Sequence, residues 1–495
     1  MELALRRGFF FPSSEIYPQA PAGFYEYGPL GVSLRNRFLQ HWRKYLLKPE
    51  GTIEIDGATI MAKDVFAASG HLEGFADLIV QCSKCHSIFR ADRLVSEKLQ
   101  KLVPERTTPS ELTQIIRTES IKCPNDQGEL GEVSSFSTMF AVQIGPNKEV
   151  AYLRPETAQS IFVDFARIFK TMRVKLPFAI AQYGEAFRNE ISPRQALIRL
   201  RELHQAEIEV FFNPGRDFSE EKFRPFGEDT LQLLESDNPG KEVKKISFND
   251  GLGKGIFPFR LIAYYLARLQ RFYIEAGVKA EKIRFRLLQE NEKAFYAKIG
   301  IDLEVNTSLG WTELVACNYR TDFDLTSHTR GSGTDLAVLD DGQRIIPHVF
   351  ELSMGVDRSL YTILELSFAR EAERTLLKLP SRIVPIDVAV LPLQGRDGLP
   401  EKAAEVYNSL LEEFEVVYDE SGSIGRRYRR GDEIGVPAAV TIDYQTLIDE
   451  TVTLRERDLM QQQRVSLTDL PTVLRRFLKT ESFNQGMSEP FESSS

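Results

Sequence analysis

Apolar residues recur along this chain with two different periods, and the switches between them outline its elements. Leu30, Leu34, Phe38, Trp42 and Tyr45 fall three or four apart, which predicts an amphipathic helix across 30–47. The stretch IEIDGATIM (53–61) that follows reads as a strand. Residues 158–170 (AQSIFVDFARIFK) return to helical spacing. Residues 206–212 (AEIEVFF) alternate and are rich in β-formers, which predicts a strand. Ahead of the first helix, Gly, Pro and aromatic residues in 8–29 mark turns.

Changes of texture divide the chain. Segments 1–78, 136–212 and 301–379 share one pattern and predict a single body; the last of them ends in a helix after Gly355. Segment 79–135 differs, with a Cys-containing knuckle, a charged helical stretch (93–117) and Cys123, and reads as an insertion. Segment 213–300 is more polar, with turn-rich NDGLGKG (249–255) and two helical stretches, and reads as a second insertion. Pro380 marks a boundary. Beyond it IVPIDVAVLPL, a helix (400–413), FEVVYDE, a helix after Gly431 and AAVTID alternate strand and helix over 380–483, the pattern of a small α/β domain. The end, 484–495 (SEPFESSS at its close), has the composition of a disordered tail.

Length and composition exclude some classes. A chain of 495 residues, 42% hydrophobic and 27% charged, has ample core for several globular domains. Its net charge of −9 argues against a DNA-coating role but leaves room for a large RNA held by local basic patches. Four cysteines point to a reducing compartment, and to a metal rather than a disulfide framework. No 18-residue apolar run and no signal h-region occur, so no membrane span is expected and the cytoplasm is the default.

Candidate chemistry centres on two arginines. Arg188 lies in AFRNEISPRQALIRLRELHQAEIEVFF (186–212), which predicts a hairpin placing Arg188 and Glu207 on a shared face beneath a basic loop with Arg194, Arg199 and Arg201. Arg358 closes PHVFELSMGVDR (347–358), where Glu351 and Ser353 share one face of a strand and Gly355 turns it into a helix. Guanidinium groups stay charged and grip phosphate with a fork of donors, so the pair reads as a clamp on a nucleoside triphosphate. The competing reading of either motif alone, a surface hairpin or an exposed helix start, is the commoner one for a single arginine.

Taken together, RRGFFFPSSEIY, GFYEYGPLG, FAASGHLEGFAD, YLRPETAQ, FRNEISPR, AEIEVFF, RTDFDL, ELSMGVDR and GRRYRRGDEIGVP resemble the glycyl-tRNA synthetases of class II, of the dimeric single-chain kind, over nearly the whole chain. The resemblance implies an α+β protein. Its catalytic domain would be a six- or seven-stranded antiparallel sheet with flanking helices, followed by a C-terminal α/β anticodon-binding domain. It implies a homodimer that takes ATP with Mg2+, glycine and tRNA(Gly), with no DNA and no membrane partner. By this likeness Arg188 grips the α-phosphate and Arg358 the γ-phosphate side. Asn189, Glu190, Arg199, Leu203 and Glu313 complete the nucleotide site. Glu156, Glu207, Glu351, Ser353 and Arg320 surround glycine. Apart from the likeness, the basic residues Arg194, Arg426 and Arg427 read as tRNA contacts, the alternative for the last two being a solvated helix end. The residue chemistry agrees, since carboxylates suit an ammonium group and a close-packed wall suits a substrate without a side chain. No editing domain is expected, because no smaller competitor exists.

Two positions depart from the family pattern. Leu203 replaces the usual Phe against adenine, which lowers the stacking contribution. Leu352 stands where many relatives have Pro. The knuckle is also incomplete. Cys82-x-x-Cys85 is half of a zinc site, but its other half is Cys123-Pro-Asn-Asp126. Zinc with Asp126 or His86 as fourth ligand is one reading; a loop that has lost its metal is the other.

Overall fold

Nine strands form the central sheet: β1 (Ile53–Ile55), β2 (Phe178–Phe187), β3 (Glu202–Phe212), β4 (Thr230–Leu234), β5 (Lys244–Ser247), β6 (Ile283–Leu287), β7 (Ile299–Thr307), β8 (Gly310–Thr321) and β9 (His348–Gly355). Their order is β5-β4-β6-β7-β8-β9-β3-β2-β1. Neighbours are antiparallel except β1 with β2 and β4 with β6. The structure, a computed structural model, describes residues 1–100, 103, 107–193, 196–235 and 242–480.

The sheet is wider than the expected six or seven strands. Segment 213–300, read from its polarity as an insertion, supplies β4, β5 and β6. It also supplies a helix, Arg260–Glu275, whose Ile262, Leu266, Leu269 and Phe272 are buried in the main core. The polarity that misled belongs to the turns and to edge strand β5, of which only Ile246 is buried. Segment 53–61 is two strands rather than one: after β1 the chain turns, and Ile60–Ala62 joins a separate three-stranded sheet.

Alternation along β3 and β9 gives the sheet two unlike faces. Ala206, Ile208, Val210 and Phe212 of β3, with Phe350, Leu352 and Met354 of β9, enter the main core. Four helices pack against the two faces: α1 (Pro29–Trp42), α2 (Ala158–Met172), α3 (Arg260–Glu275) and α4 (Val356–Ser367). Helix α1 adds Leu34, Phe38 and Trp42 to this core; a side chain of this kind contributes about 1.5–3 kcal/mol when fully buried. Leu352 is therefore a core residue on the face away from Glu351 and Ser353, and its substitution for Pro leaves the site chemistry untouched. On the opposite face, Phe211 and Val349 pack against Ile161, Phe162 and Phe165 of α2. Glu207, Glu209, Glu351 and Ser353 occupy that same face, next to this smaller apolar cluster.

Residues 76–137 form a small three-stranded sheet with helices Ala91–Leu99 and Pro109–Thr118 around their own apolar cluster. The expected single helical stretch 93–117 is thus two helices. The second starts on a capping box, Thr108 with Glu111, and has Pro at its first position.

The C-terminal unit has five strands, β10 (Val388–Pro392), β11 (Val416–Tyr418), β12 (Ala438–Ile442), β13 (Thr451–Glu456) and β14 (Gln462–Ser466), in the order β11-β10-β12-β13-β14. Helices α5 (Leu399–Leu410), α6 (Ile424–Ile434) and α7 (Leu470–Thr480) flank it. Gly431 lies inside α6 instead of preceding a helix. The tail 484–495 lies outside the described residues. Among those described, no helix is long and apolar enough to cross a membrane.

Candidate active site

The β2–β3 hairpin and the β9–α4 join open on one cavity of about 1380 Å³. Arg188, Glu190, Arg199 and Leu203 line it from the hairpin. Glu351, Ser353 and Arg358 line it from the join, Glu313 from β8 and Glu156 from the turn before α2. Strand register explains the convergence. Glu207 stands opposite Ser353, Glu209 opposite Glu351, and Asn318 of β8 opposite Glu351 on its other side.

The two arginines are held differently. Arg188 follows the end of β2; its Nε–H donates to the Pro155 carbonyl at 3.0 Å and its guanidinium sits 5.5 Å from the Phe75 ring centroid. Arg358 is in the first turn of α4, as the Gly355 join predicts. Its Nε–H donates to Ile198 O at 3.0 Å and its NH1 to Glu313 O at 3.1 Å, with the Glu313 carboxylate 3.4 Å away. Backbone carbonyls thus fix both guanidiniums while their faces stay in the cavity lining, a preorganised pair of cations. Arg199 and Glu190 pair with each other at 2.7 Å. Asn189 is absent from the lining; its backbone N–H is tied to Thr138 O at 2.8 Å.

The acidic group is deeper. Glu207 is fully buried, one hydrogen bond behind the wall. It accepts from Ser353 Oγ and from Thr157 Oγ1, both at 2.5 Å. Burial and the nearby Glu156 carboxylate raise its pKa. Glu351 accepts from Asn318 Nδ2 at 2.7 Å and from Arg320 NH1 at 2.8 Å. Burial pushes Glu351 up, Arg320 pulls it down, and Glu156 and Glu207 push it up again, leaving it at about 7. Arg320 does not reach the lining. It is fully buried beneath Glu351, with its Nε and NH2 donating to the two oxygens of Asp324 at 2.6 Å each. Glu156 keeps its charge despite burial, because His71 Nε2 lies 3.2 Å away and Gln159 donates at 2.8 Å; its pKa falls below the ordinary carboxylate range.

Several site residues escaped the sequence reading. His71, inside FAASGHLEGFAD, is buried against Glu156 with Ser69 Oγ at 2.8 Å from its Nδ1. Thr157 and Asn318 sit inside recognised motifs but carry no signal of their own. Glu209 was detectable, since period two puts it on the Glu207 face. It is fully buried, both its oxygens lack a hydrogen-bond partner among the described residues, and burial beside Glu351 raises its pKa well above the ordinary value. Burial in that setting favours the neutral form of a carboxyl over the charged one.

Of the three arginines assigned to tRNA, Arg426 is exposed on α6. Arg427 is turned inward instead: it is buried, and its guanidinium donates to the carbonyls of Pro392 and, at 3.1 Å, Leu393. The helical period forces this, because adjacent residues of α6 point about 100° apart and only one can face solvent fully. Arg194 lies outside the described residues. Cys317 is core, as its apolar setting on β8 predicts.

At the knuckle, Cys82, Cys85, Cys123 and Asp126 bring one ligand atom each to within 4.8 Å of one another. Cys85 Sγ is 3.6 Å from Cys123 Sγ, and Cys82 Sγ is 3.4 Å from an Asp126 oxygen. The Lys84 N–H points at Cys82 Sγ at 3.4 Å. Gly128 closes the cradle, since a Cβ there would come within 2.9 Å of Cys82 Sγ.

Comparison with known proteins agrees with this geometry. Residues 140–251 match the family described as tRNA synthetase class II core domain (G, H, P, S and T), and residues 387–477 match the anticodon binding domain. Similar proteins include the glycine–tRNA ligase of Archaeoglobus fulgidus, 39% identical over 97% of both chains. Those of Methanocaldococcus jannaschii (38%, covering 97% of this chain and 98% of the relative) and Pyrococcus abyssi (39%, 96% and 97%) are alike to the same degree. With this identity carried across both domains, and both Arg188 and Arg358 in one cavity with the acidic group, the chain belongs to the glycine–tRNA ligase family of class II tRNA synthetases.

Proposed function

We infer that this protein activates glycine with ATP and transfers it to the 3′ end of tRNA(Gly). The observation that carries the reading is the convergence of Arg188, Arg358, Glu156 and Glu351 on a single cavity, with Glu207 one bond behind Ser353. An oxygen of the glycine carboxylate attacks the α-phosphorus of ATP, the bond to the β-phosphate oxygen breaks, and pyrophosphate leaves. A hydroxyl of the terminal tRNA ribose then attacks the glycyl carbonyl, and AMP leaves. Neither step needs a nucleophile from the protein. Arg188 holds the α-phosphate oxygens as charge builds there, and Arg358 holds the far end of the triphosphate. Mg2+ would arrive with the ATP phosphates, and Glu313, in the cavity lining, would offer it an oxygen. Glycine-dependent pyrophosphate exchange by the purified protein tests the reading, and no exchange with any amino acid would refute it.

The ammonium of glycine is taken by the acidic group, and Glu351 sets its pH dependence. Glu351 must be ionised to hold a cation, and burial with the neighbouring Glu156 and Glu207 carboxylates pushes it up to about 7. Protonation below that pH removes the partner. The KM for glycine is therefore expected to rise about tenfold from pH 8 to pH 6, while the KM for ATP stays flat. A glycine KM that is constant across this range would refute the assignment.

The knuckle is proposed to hold a structural zinc on Cys82, Cys85, Cys123 and Asp126. Three cysteines and a carboxylate whose ligand atoms all lie within 4.8 Å of one another suit that ion, and a side chain at position 128 would crowd Cys82. Elemental analysis is expected to find zinc in the wild type and none in Cys85→Ser. Metal-free wild type would make the loop a relic. A homodimer and a cytoplasmic setting complete the proposal. The dimer is supported by exposed Ile60 and Ile144, which share one face of the sheet formed by Ile60–Ala62, Ala141–Ile144 and Glu149–Leu153.

A further inference from the structure

The loop between β6 and β7, in the stretch that sequence polarity marked as an insertion, passes over the deep end of the cavity. Phe295 and Tyr296 on it both line the cavity, together with Glu156, Glu351 and Ser353. The Tyr296 ring lies over the Arg320 guanidinium, 3.6 Å from its carbon to the ring centroid. It is also stacked against the His71 ring at 6.5 Å, with 25° between the planes. Arg320 cannot yield, being bound twice to Asp324 and once to Glu351, with Phe162 5.1 Å away. Tyr296 is thus laid on a fixed base, between the residue that supports Glu351 and the one that supports Glu156.

The loop itself is pinned. Phe295 fits where Gly70 and Gly74 leave room; a Cβ on Gly74 would fall 2.8 Å from its ring. Its edge meets Phe323 at 6.0 Å and His71 at 6.2 Å. Lys293 Nζ donates to Lys298 O at 2.8 Å, and the Lys298 N–H to Tyr319 O at 2.8 Å. These bonds tie the loop to itself and to β8.

We propose that Tyr296 is the specificity wall of the amino-acid pocket, a ring laid over Arg320 that lines the cavity with Glu351 and Glu156 and excludes any α-substituent. The inference rests on the glycine reading above. A pocket that must refuse one added methyl needs a wall that does not move, and a ring clamped between a guanidinium and an imidazole is harder to displace than a flexible side chain. The ring does this, not the hydroxyl, so Tyr296→Phe should keep the wild-type alanine-to-glycine ratio.

The test is pyrophosphate exchange with glycine, alanine and serine by wild type, Tyr296→Phe, Tyr296→Ala and Tyr296→Leu. Leu keeps an apolar cover on Arg320 if Ala fails to fold. The kcat/KM for alanine relative to glycine is expected to rise by about 10–200-fold in Ala or Leu, the usual worth of one methyl in a pocket. It should arise through a lower alanine KM and stay at the wild-type ratio in Phe. A merely structural role would depress both substrates together. An unchanged alanine-to-glycine ratio in a folded Ala or Leu variant overturns the proposal. Absence of glycine exchange in the wild type would instead overturn the glycine reading.

Discussion

Arg188→Ala should lower glycine-dependent pyrophosphate exchange by about 10²–10³-fold, chiefly in kcat, with little change in melting temperature. The magnitude is that of removing one preorganised donor from a developing anion. Stability is expected to survive because the guanidinium is only partly buried and its intramolecular anchor is a single bond to Pro155 O. Arg188→Lys should rescue poorly. An ammonium cannot both donate to that carbonyl and present a fork to phosphate, so the charge is kept while the geometry is lost. An Arg188→Lys variant with near wild-type kcat would show that charge alone suffices, and a wild-type kcat for Arg188→Ala would remove Arg188 from the chemistry.

Legibility in the sequence followed the physics of period and packing. The helix on Leu34, Phe38 and Trp42 was visible because its apolar stripe is its buried face; it runs Pro29–Trp42 and continues as a wider helical turn to Leu47. The β3 alternation was equally plain, and it already placed Glu207 and Glu209 together. Segment 213–300 was misread because an edge strand buries only one residue in four, so β5 lacks the apolar signal of a central strand. Tyr296 was hidden for a related reason. Its loop is polar and turn-rich, and its importance comes from Arg320 and His71, distant in sequence. The inward turn of Arg427 was illegible for another cause: four arginines in five positions of α6 look alike until the helix is docked.

The second large effect is expected at the seam between the catalytic body and the C-terminal unit. Asp432 of α6 is 1% exposed and accepts from Arg374 at 3.2 Å and from Arg455 at 2.9 and 3.2 Å. Arg374 comes from the hairpin that follows α4, and it also donates to the carbonyls of Arg457 and Asp458 at 2.6 and 2.8 Å. Removing the shared carboxylate leaves buried Arg455 without its carboxylate partner and Arg374 with Glu371 alone, which it reaches at 2.6 Å. Breaking such a group by deleting one partner costs about 3–5 kcal/mol, far more than the pair is worth as a net attraction. Asp432→Ala should therefore loosen the C-terminal unit and lower tRNA charging by about 10²-fold, while glycine-dependent exchange stays within about twofold of wild type. Glu433→Ala is the control. Its partners Arg6 and Arg7 are partly solvated, so its loss should cost under about 1 kcal/mol and leave charging intact. If Asp432→Ala depresses exchange as much as charging, the two units do not work as separable parts. If it depresses neither, the buried triad does not hold the anticodon-binding domain in register with the cavity.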